Sequence, residues 1–392
     1  MAISRLVIKL FINTMSFFAV ALVLSACIET GRVSQGPKVN TSKPVVVALL
    51  VPSGSGNGQQ DAMADSLVKA AELAISEMED VKIDLKVYAT AGNSNLAARV
   101  AQQAMADGAK IVVGPLFAEA ANEVGAVVAK KGINVLSFSN NPSIAGGNVF
   151  ILGDTFQNSA DRIIKYSVAK GRRNIGAIVR ANAAGDVAIA AIQAATGRNG
   201  GRFVGVTRYE LNTESVVASI TGARTLIQSN GANSLILDAD SAGALPVYAQ
   251  LLPENGINAQ TVQILGLTRW DQTSAQVRGN PGMQGSVFAM PDTNASAVFK
   301  QHYAAANGAD PHILAGKAYD GIRAVGTLLR SGASDALTRT KLTRPAGFSG
   351  ANGVFRLLTN GTNQRALAIA ELRDSQIVVV SPAPRRFGGA GS

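Results

Sequence analysis

The 392-residue chain holds one cysteine, Cys27, and two histidines, His302 and His312. A disulfide framework needs paired cysteines, and a structural zinc site needs clustered Cys or His. Neither can be assembled here. The two histidines stand ten residues apart without a neighbouring thiol or carboxylate cluster, and read as helix-surface residues. Aromatic residues make up only 5% of the chain and do not interleave with its cations, so the stacking platform that single-stranded nucleic acid requires is missing. No nucleic-acid partner is implied. Long hydrophobic runs are also scarce, and the one beyond strand length lies at the start.

That run is Leu10 to Leu24, broken by Asn13, Thr14 and Ser16 and preceded by Arg5 and Lys9. It is short for a membrane span but suits a secretory leader ending at Ser25 and Ala26. Leu24-Ser25-Ala26-Cys27 resembles the bacterial lipobox, in which the cysteine is lipidated and becomes the first residue. Residues 1–26 then read as a lipoprotein signal peptide, and residues 27–43, rich in Gly, Ser, Pro and Lys, as a flexible tether. The formal charge of +10 falls to +8 once Arg5 and Lys9 are removed. Residues 382–392 (PAPRRFGGAGS) read as a disordered tail.

The whole chain is 47% hydrophobic with 40 glycines, and between these ends it alternates strand and helix. Val45 to Val51 is a continuous apolar run, as a parallel strand buried on both faces requires. Met63, Leu67, Ala71, Ile75 and Met78 recur at helical spacing. Further strands fall at Lys82–Tyr88, Ile111–Val113 and Ile133–Ser137. After Val149 the pattern begins again, with strands at Asn174–Val179, Arg202–Thr207, Ser234–Asp238 and Val262–Gly266. Pro311 opens a long helix, and Gly353 to Val380 reads as an antiparallel meander. Repeated β-α-β units predict an α/β fold with mainly parallel sheets flanked by helices.

VALLVPSGSG (47–56), GAKIVVGPLFAEAA (108–121), NVLSFSNNPS (134–143), Ala318-Tyr319-Asp320-Gly321-Ile322 and the closing strands resemble, in that order, the leucine-binding family of type 1 periplasmic-binding proteins. The resemblance covers about Pro44 to Val380. It implies a two-lobe type 1 periplasmic-binding fold, with residues 44–153 plus 291–346 in one lobe and 154–290 plus 347–381 in the other. The phrase Val113-Gly114-Pro115-Leu116 also resembles the periplasmic-binding-like domain of penicillin-binding protein activators.

Ligands of open α/β sheets bind beyond the carboxyl ends of strands. That rule collects Ser53, Ser55, Phe117, Ala118, Ser137, Ser139 and Asn140 from the first lobe. Asp238, Asp240, Arg269, Trp270 and Asp271 come from the second, with Arg180 and Asp186 nearby. The hydroxyls and backbone N–H groups suit a carboxylate, Asp238 or Asp240 an ammonium, and Trp270 an apolar wall. Phe117 and Ala118 stand where leucine binders place carboxylate-holding hydroxyls, which leaves that clamp incomplete.

Gly54-Ser55-Gly56-Asn57-Gly58 lacks the spacing of a phosphate loop and reads as a turn at the cleft mouth. No spacing nominates a base for Ser/His/Asp chemistry, so neither catalysis, a cofactor nor a metal is expected. The resemblance implies a lipid-anchored periplasmic protein that closes on a small ligand of the amino-acid class and delivers it to an inner-membrane ABC-type permease. The alternative is an activator that touches a peptidoglycan synthase. Ile28 rather than Asp after the cysteine leans toward the outer membrane. Cys27→Ala abolishes fatty-acid labelling of the chain; labelling that persists overturns the lipobox reading.

Overall fold

A computed structural model describes residues 36–387. The leader, Cys27, the first part of the tether and residues 388–392 lie outside that range. The chain enters through β1 (Val45–Val51), α1 (Gly58–Ser76), β2 (Ile83–Ala89) and α2 (Ser94–Ala106), then β3 (Ile111–Val113), α3 (Ala118–Ala129), β4 (Asn134–Ser137) and β5 (Val149–Ile151). These five strands form a parallel sheet in the order β2-β1-β3-β4-β5.

Next come α4 (Phe156–Ala169), β6 (Asn174–Arg180), α5 (Ala183–Arg198), β7 (Arg202–Tyr209), α6 (Thr213–Gln228) and β8 (Ser234–Leu237). α7 (Leu245–Glu254), β9 (Gln263–Gly266), the short α8 (Ala275–Gly279) and β10 (Val287–Met290) complete this stretch. The chain returns to the first sheet with α9 (Thr293–Asn307), α10 (Ala315–Leu329) and α11 (Arg339–Leu342). It finishes with β11 (Phe348–Gly350), β12 (Gly353–Leu357), β13 (Asn363–Arg365), β14 (Ala368–Arg373) and β15 (Gln376–Ser381). The second sheet has seven strands ordered β15-β14-β10-β9-β8-β6-β7, in which β14 alone runs against the others, pairing antiparallel with both β10 and β15.

Each sheet is covered on both faces, which is why its strands read as unbroken apolar runs. Leu67, Ala71 and Ala74 of α1 join Ala318, Ile322 and Val325 of α10 on one face of the first sheet. Ala97, Ala101, Val124 and Val128 cover the other face. In the second sheet, α4 and α5 bury Ile163, Ile164, Ala188 and Ile192 on one side. On the other side α6 and α7 bury Ile220, Tyr248 and Leu252. α10 crosses β3 so closely that a Cβ at Gly321 would come within 2.7 Å of Val113 Cγ1. Only a glycine admits that approach.

Five expectations change. The closing strands are not one meander: β11–β13 form a separate three-stranded sheet whose Phe348, Phe355 and Leu357 lie in the core with β1 and α10. The chain therefore leaves the first lobe at residues 366–367 rather than near Gly347, because Arg365 is held in that core while β14 pairs with β10. The tether does not run free to residue 43, since Val39 is buried and its N–H donates to Ser334 O at 2.9 Å. The tail is not wholly disordered either. Arg162 donates to Pro382 O, and the Arg356 guanidinium stacks on Phe387 at 4.8 Å.

Trp270 is the fifth. It is fully buried beneath the second sheet, tilted against Phe288, and its indole N–H donates to Ala239 O at 3.0 Å. It is a core residue and not a cleft wall. Trp270→Ala leaves a cavity the size of an indole and lowers unfolding free energy by about 3–5 kcal/mol. Chemical denaturation checks this, and a variant as stable as the parent would show that the site is not core.

Candidate functional site

The order β1-β3-β4 brings three strand ends to one edge of the first sheet. Ser53 and Ser55 sit in the loop after β1, Phe117 and Ala118 at the start of α3, and Ser137, Ser139 and Asn140 at the end of β4. Asn57 caps α1 by accepting from Gln59 N and Gln60 N, while Asp61 accepts from Gly54 N at 2.8 Å. The helix terminus and its loop thus spend their donors on their own side chains, as a turn does and a phosphate cradle does not. Ser137 is fully buried, donates to Pro115 O at 2.8 Å and accepts from Ser139 N. It braces two strand ends instead of offering a hydroxyl to a ligand. Phe117 is 41% exposed and lies over Gly92.

Strands β9, β8, β6 and β7 are neighbours in the second sheet, and their ends gather the charged residues. The Asp238 carboxylate accepts from Arg180 N at 2.8 Å and from the Tyr209 hydroxyl at 3.0 Å. Burial raises its proton affinity above the ordinary carboxylate value, and both its oxygens already have protein partners. Asp240, more exposed, faces Arg180 Nη2 at 3.6 Å. Arg269 grips Asp271 through two N–H groups, one at 2.9 Å. Asp186 pairs with Arg208 at 2.6 Å. Each cation aimed from this edge already has an anion on its own lobe.

Asp154 lies in the first crossing between the sheets, directly after Gly153, whose N–H donates to Ser139 O at 3.1 Å. Lys317 Nζ, in the first turn of α10, donates to Asp154 Oδ1 at 2.8 Å, and Arg365 Nε lies 2.9 Å from the same oxygen, outside hydrogen-bond geometry. Arg365 also donates to Asp320 Oδ2 at 2.8 Å, and Asp320 Oδ1 accepts from Ala351 N at 2.7 Å. Lys317, Asp320 and Arg365 are buried, whereas the Asp154 side chain is 43% exposed. Desolvation opposes ionisation of Asp154, but Lys317 and Arg365, with a smaller contribution from Arg269, outweigh it and hold its pKa at about 2. Burial likewise pulls the Lys317 ammonium below the usual lysine value. Beside this network, Asn363 Nδ2 donates to Ile151 O and Gly153 O and its Oδ1 accepts from Asn158, so the first and third crossings run bonded together.

Asp154, Tyr209, Lys317 and Arg365 were not among the expected site residues. One signal was available: Lys317 interrupts the small and apolar face of a helix whose Ala318, Ile322 and Val325 are in register. A charge there requires a partner from elsewhere, but spacing does not say which.

The match to known proteins is consistent with this architecture. A family model described as periplasmic binding protein matches residues 44–376. The chain belongs to the periplasmic binding protein family. Three solved structures share its type 1 fold. A branched-chain amino acid ABC transporter periplasmic ligand-binding protein from Burkholderia xenovorans superimposes with a TM-score of 0.67 at 17% identity, over 87% of this chain and 96% of that one. A leucine-binding protein from Thermotoga maritima gives 0.55 at 14%, over 86% and 98%. A solute-binding protein from R. palustris in complex with benzoate gives 0.57 at 14%, over 88% and 98%. No curated protein matches the chain.

Asp154→Asn strands the Lys317 charge and destabilises the protein by about 2–4 kcal/mol, below the range for fully buried pairs because Asp154 is partly solvated. Adding Lys317→Met recovers most of the loss. The sign of the pH dependence follows from the depressed pKa. The pair's contribution is complete above the unfolded carboxylate value of ~4 and is lost as pH falls toward about 2. Melting curves over pH 2–7 check both statements, and an acid limb unchanged in the double variant overturns the assignment.

Proposed function

We propose that the protein is a lipid-anchored periplasmic solute-binding protein that closes its two lobes on a small polar ligand of the amino-acid class and presents it to an ABC-type permease. Two sets of polar strand-end residues, one on each sheet, and crossings knit by Asp154, Lys317, Arg365 and Asn363 support this reading. Ligands of such sheets sit at that place, and the chain crossings are where a hinge must bend. Membership of the family supports the periplasmic location. Among the described residues no helix is long and apolar enough to cross a membrane, so attachment in this reading depends on Cys27.

The ion pairs shape the ligand. A zwitterion can replace Asp240 at Arg180 or Arg180 at Asp240 without leaving a lone charge, whereas a singly charged ligand cannot. Ser53, Ser55, Ser139 and Asn140 supply polar contacts from the opposite lobe, and Phe117 gives an apolar lip. Phe117 and Ala118, in place of hydroxyls, favour a second reading in which the cleft is repurposed and the protein acts by touching a peptidoglycan synthase.

A thermal-shift screen against amino acids, aromatic acids and wall fragments separates the readings. A cognate ligand at ~100-fold excess over its Kd stabilises the protein by about 2.7 kcal/mol, and Asp240→Asn abolishes that shift. The absence of any shift, together with retention of a synthase in pull-down, overturns the transport reading.

A further inference from the structure

A second concave surface lies outside the strand-end edges. Arg162 and Lys165 of α4, Arg198 at the end of α5, Arg356 of β12 and Arg386 of the closing segment line a groove of about 450 Å³. Asp161 is the only carboxylate in its lining and is taken by Arg198 at 2.7 Å. Among the described residues, Arg162, Lys165, Arg356 and Arg386 have no carboxylate partner. Arg162 is oriented by Leu367 O at 2.6 Å and Ser381 Oγ at 2.6 Å. Burial lowers its pKa from the ordinary arginine value, and Tyr166 offsets that desolvation only in part.

The groove continues into a wider one of about 930 Å³ that shares Asn158, Asp161, Arg198, Arg356 and Gln364. There the exposed face of α5 presents Ala183, Ala184, Val187, Ala190 and Ala194. Several amides along it have spent their oxygens: Asn141 Oδ1 on Ser143 N, Asn360 Oδ1 on Thr362 N and Gln364 Oε1 on Arg356 Nε. Their N–H₂ groups remain as donors, and the two carboxylates in the lining, Asp154 and Asp161, are already held by Lys317 and Arg198, so the trough offers mainly donors and cations. Its occupant must be rich in acceptors and negatively charged.

We propose that this groove docks an extended acidic segment of a partner polypeptide. Its carboxylates meet Arg162, Lys165, Arg356 and Arg386, and its main chain lies along the alanine floor, where small side chains let a backbone approach closely. The concavity does not fit the plane of a bilayer. A glycan finds little ring surface to stack on, because the Arg356 guanidinium covers Phe387 at 4.8 Å. The wider groove borders the strand-end site at Asn140 and Asp154, while the four cations of this inference line the narrower one.

The test is fluorescence anisotropy of the full chain with a short labelled peptide alternating Glu and Ala, and its Lys-Ala counterpart. The acidic peptide binds at low ionic strength and the basic one does not. Lys165→Gln with Arg356→Gln weakens binding at least tenfold, while the charge-matched remote pair Lys69→Gln with Lys300→Gln leaves it unchanged. Unchanged melting of both variants shows that the fold is intact. Absence of acidic-peptide binding, or equal loss in the remote variant, overturns the proposal. So does binding to phosphatidylglycerol vesicles alone that disappears in the groove variant, since the cations then read a lipid surface.

Discussion

The Asp154 carboxylate is the interaction on which the two-lobe arrangement turns. Lys317 is buried at the N-terminal end of α10, where the helix dipole is already positive, and Arg365 is buried beside it. Two cations taken out of water this close together repel each other and lack hydration. Asp320 satisfies Arg365 from within the first lobe. Among the described residues the ion pair of Lys317 is with Asp154, which belongs to the crossing segment. The ion pair therefore joins a fixed helix of one lobe to the strand of chain that must bend if the lobes move. Because Asp154 is partly exposed, its bonds can be made and broken in water at moderate cost, which suits a joint better than a fully buried lock would.

The cleft around this joint is polar but internally neutralised. Arg180 is held by Asp240, Arg269 by Asp271 and Lys317 by Asp154. Such pairing keeps the open lobes from carrying lone charges into a closing cleft, where the dielectric falls and each unpaired charge becomes expensive. It also makes binding an exchange of partners: a ligand gains only by the difference between its own contacts and those it displaces. Selectivity then rests on geometry at a few side chains, with the overall charge of the site contributing little. The groove over α4 and α5 follows the opposite design, with cations left without anions on a surface rich in donors.

Much of the fold was legible because buried parallel strands leave an unmistakable mark. Val45–Val51 and Ile111–Val113 are apolar at every position, and α1 and α10 carry their stripes in register. The sites where the reading failed share a physical cause. The stretch from Gly353 to Val380 has continuous strand character, and nothing local marks the point where it changes sheets. That point is set by Arg365 reaching Asp320 and Leu152, partners more than forty residues away in sequence. Trp270 follows a strand end, where exposure is common, yet its indole fills a space that only tertiary packing defines. Ser137 and Asp238 have the chemistry of ligand contacts, but neighbouring loops use that chemistry first. Residue type indicated which groups could bind; burial and competing partners decided which remain free.

The passage of β11–β13 through the first lobe bears on how the chain is built. That lobe needs residues from both ends of the sequence: β1 near the start, and Phe348, Phe355 and Arg365 close to the finish. The second lobe is interrupted in the same way, since β14 and β15 close its sheet. The first lobe cannot be completed before Arg365 has been made, nor the second before Ser381, and contacts of such sequence separation form slowly. A protein that remains incompletely folded until its last segment appears keeps its apolar strands available to chaperones for longer. The interleaving that positions the joint thus also delays final folding until nearly the whole chain is present.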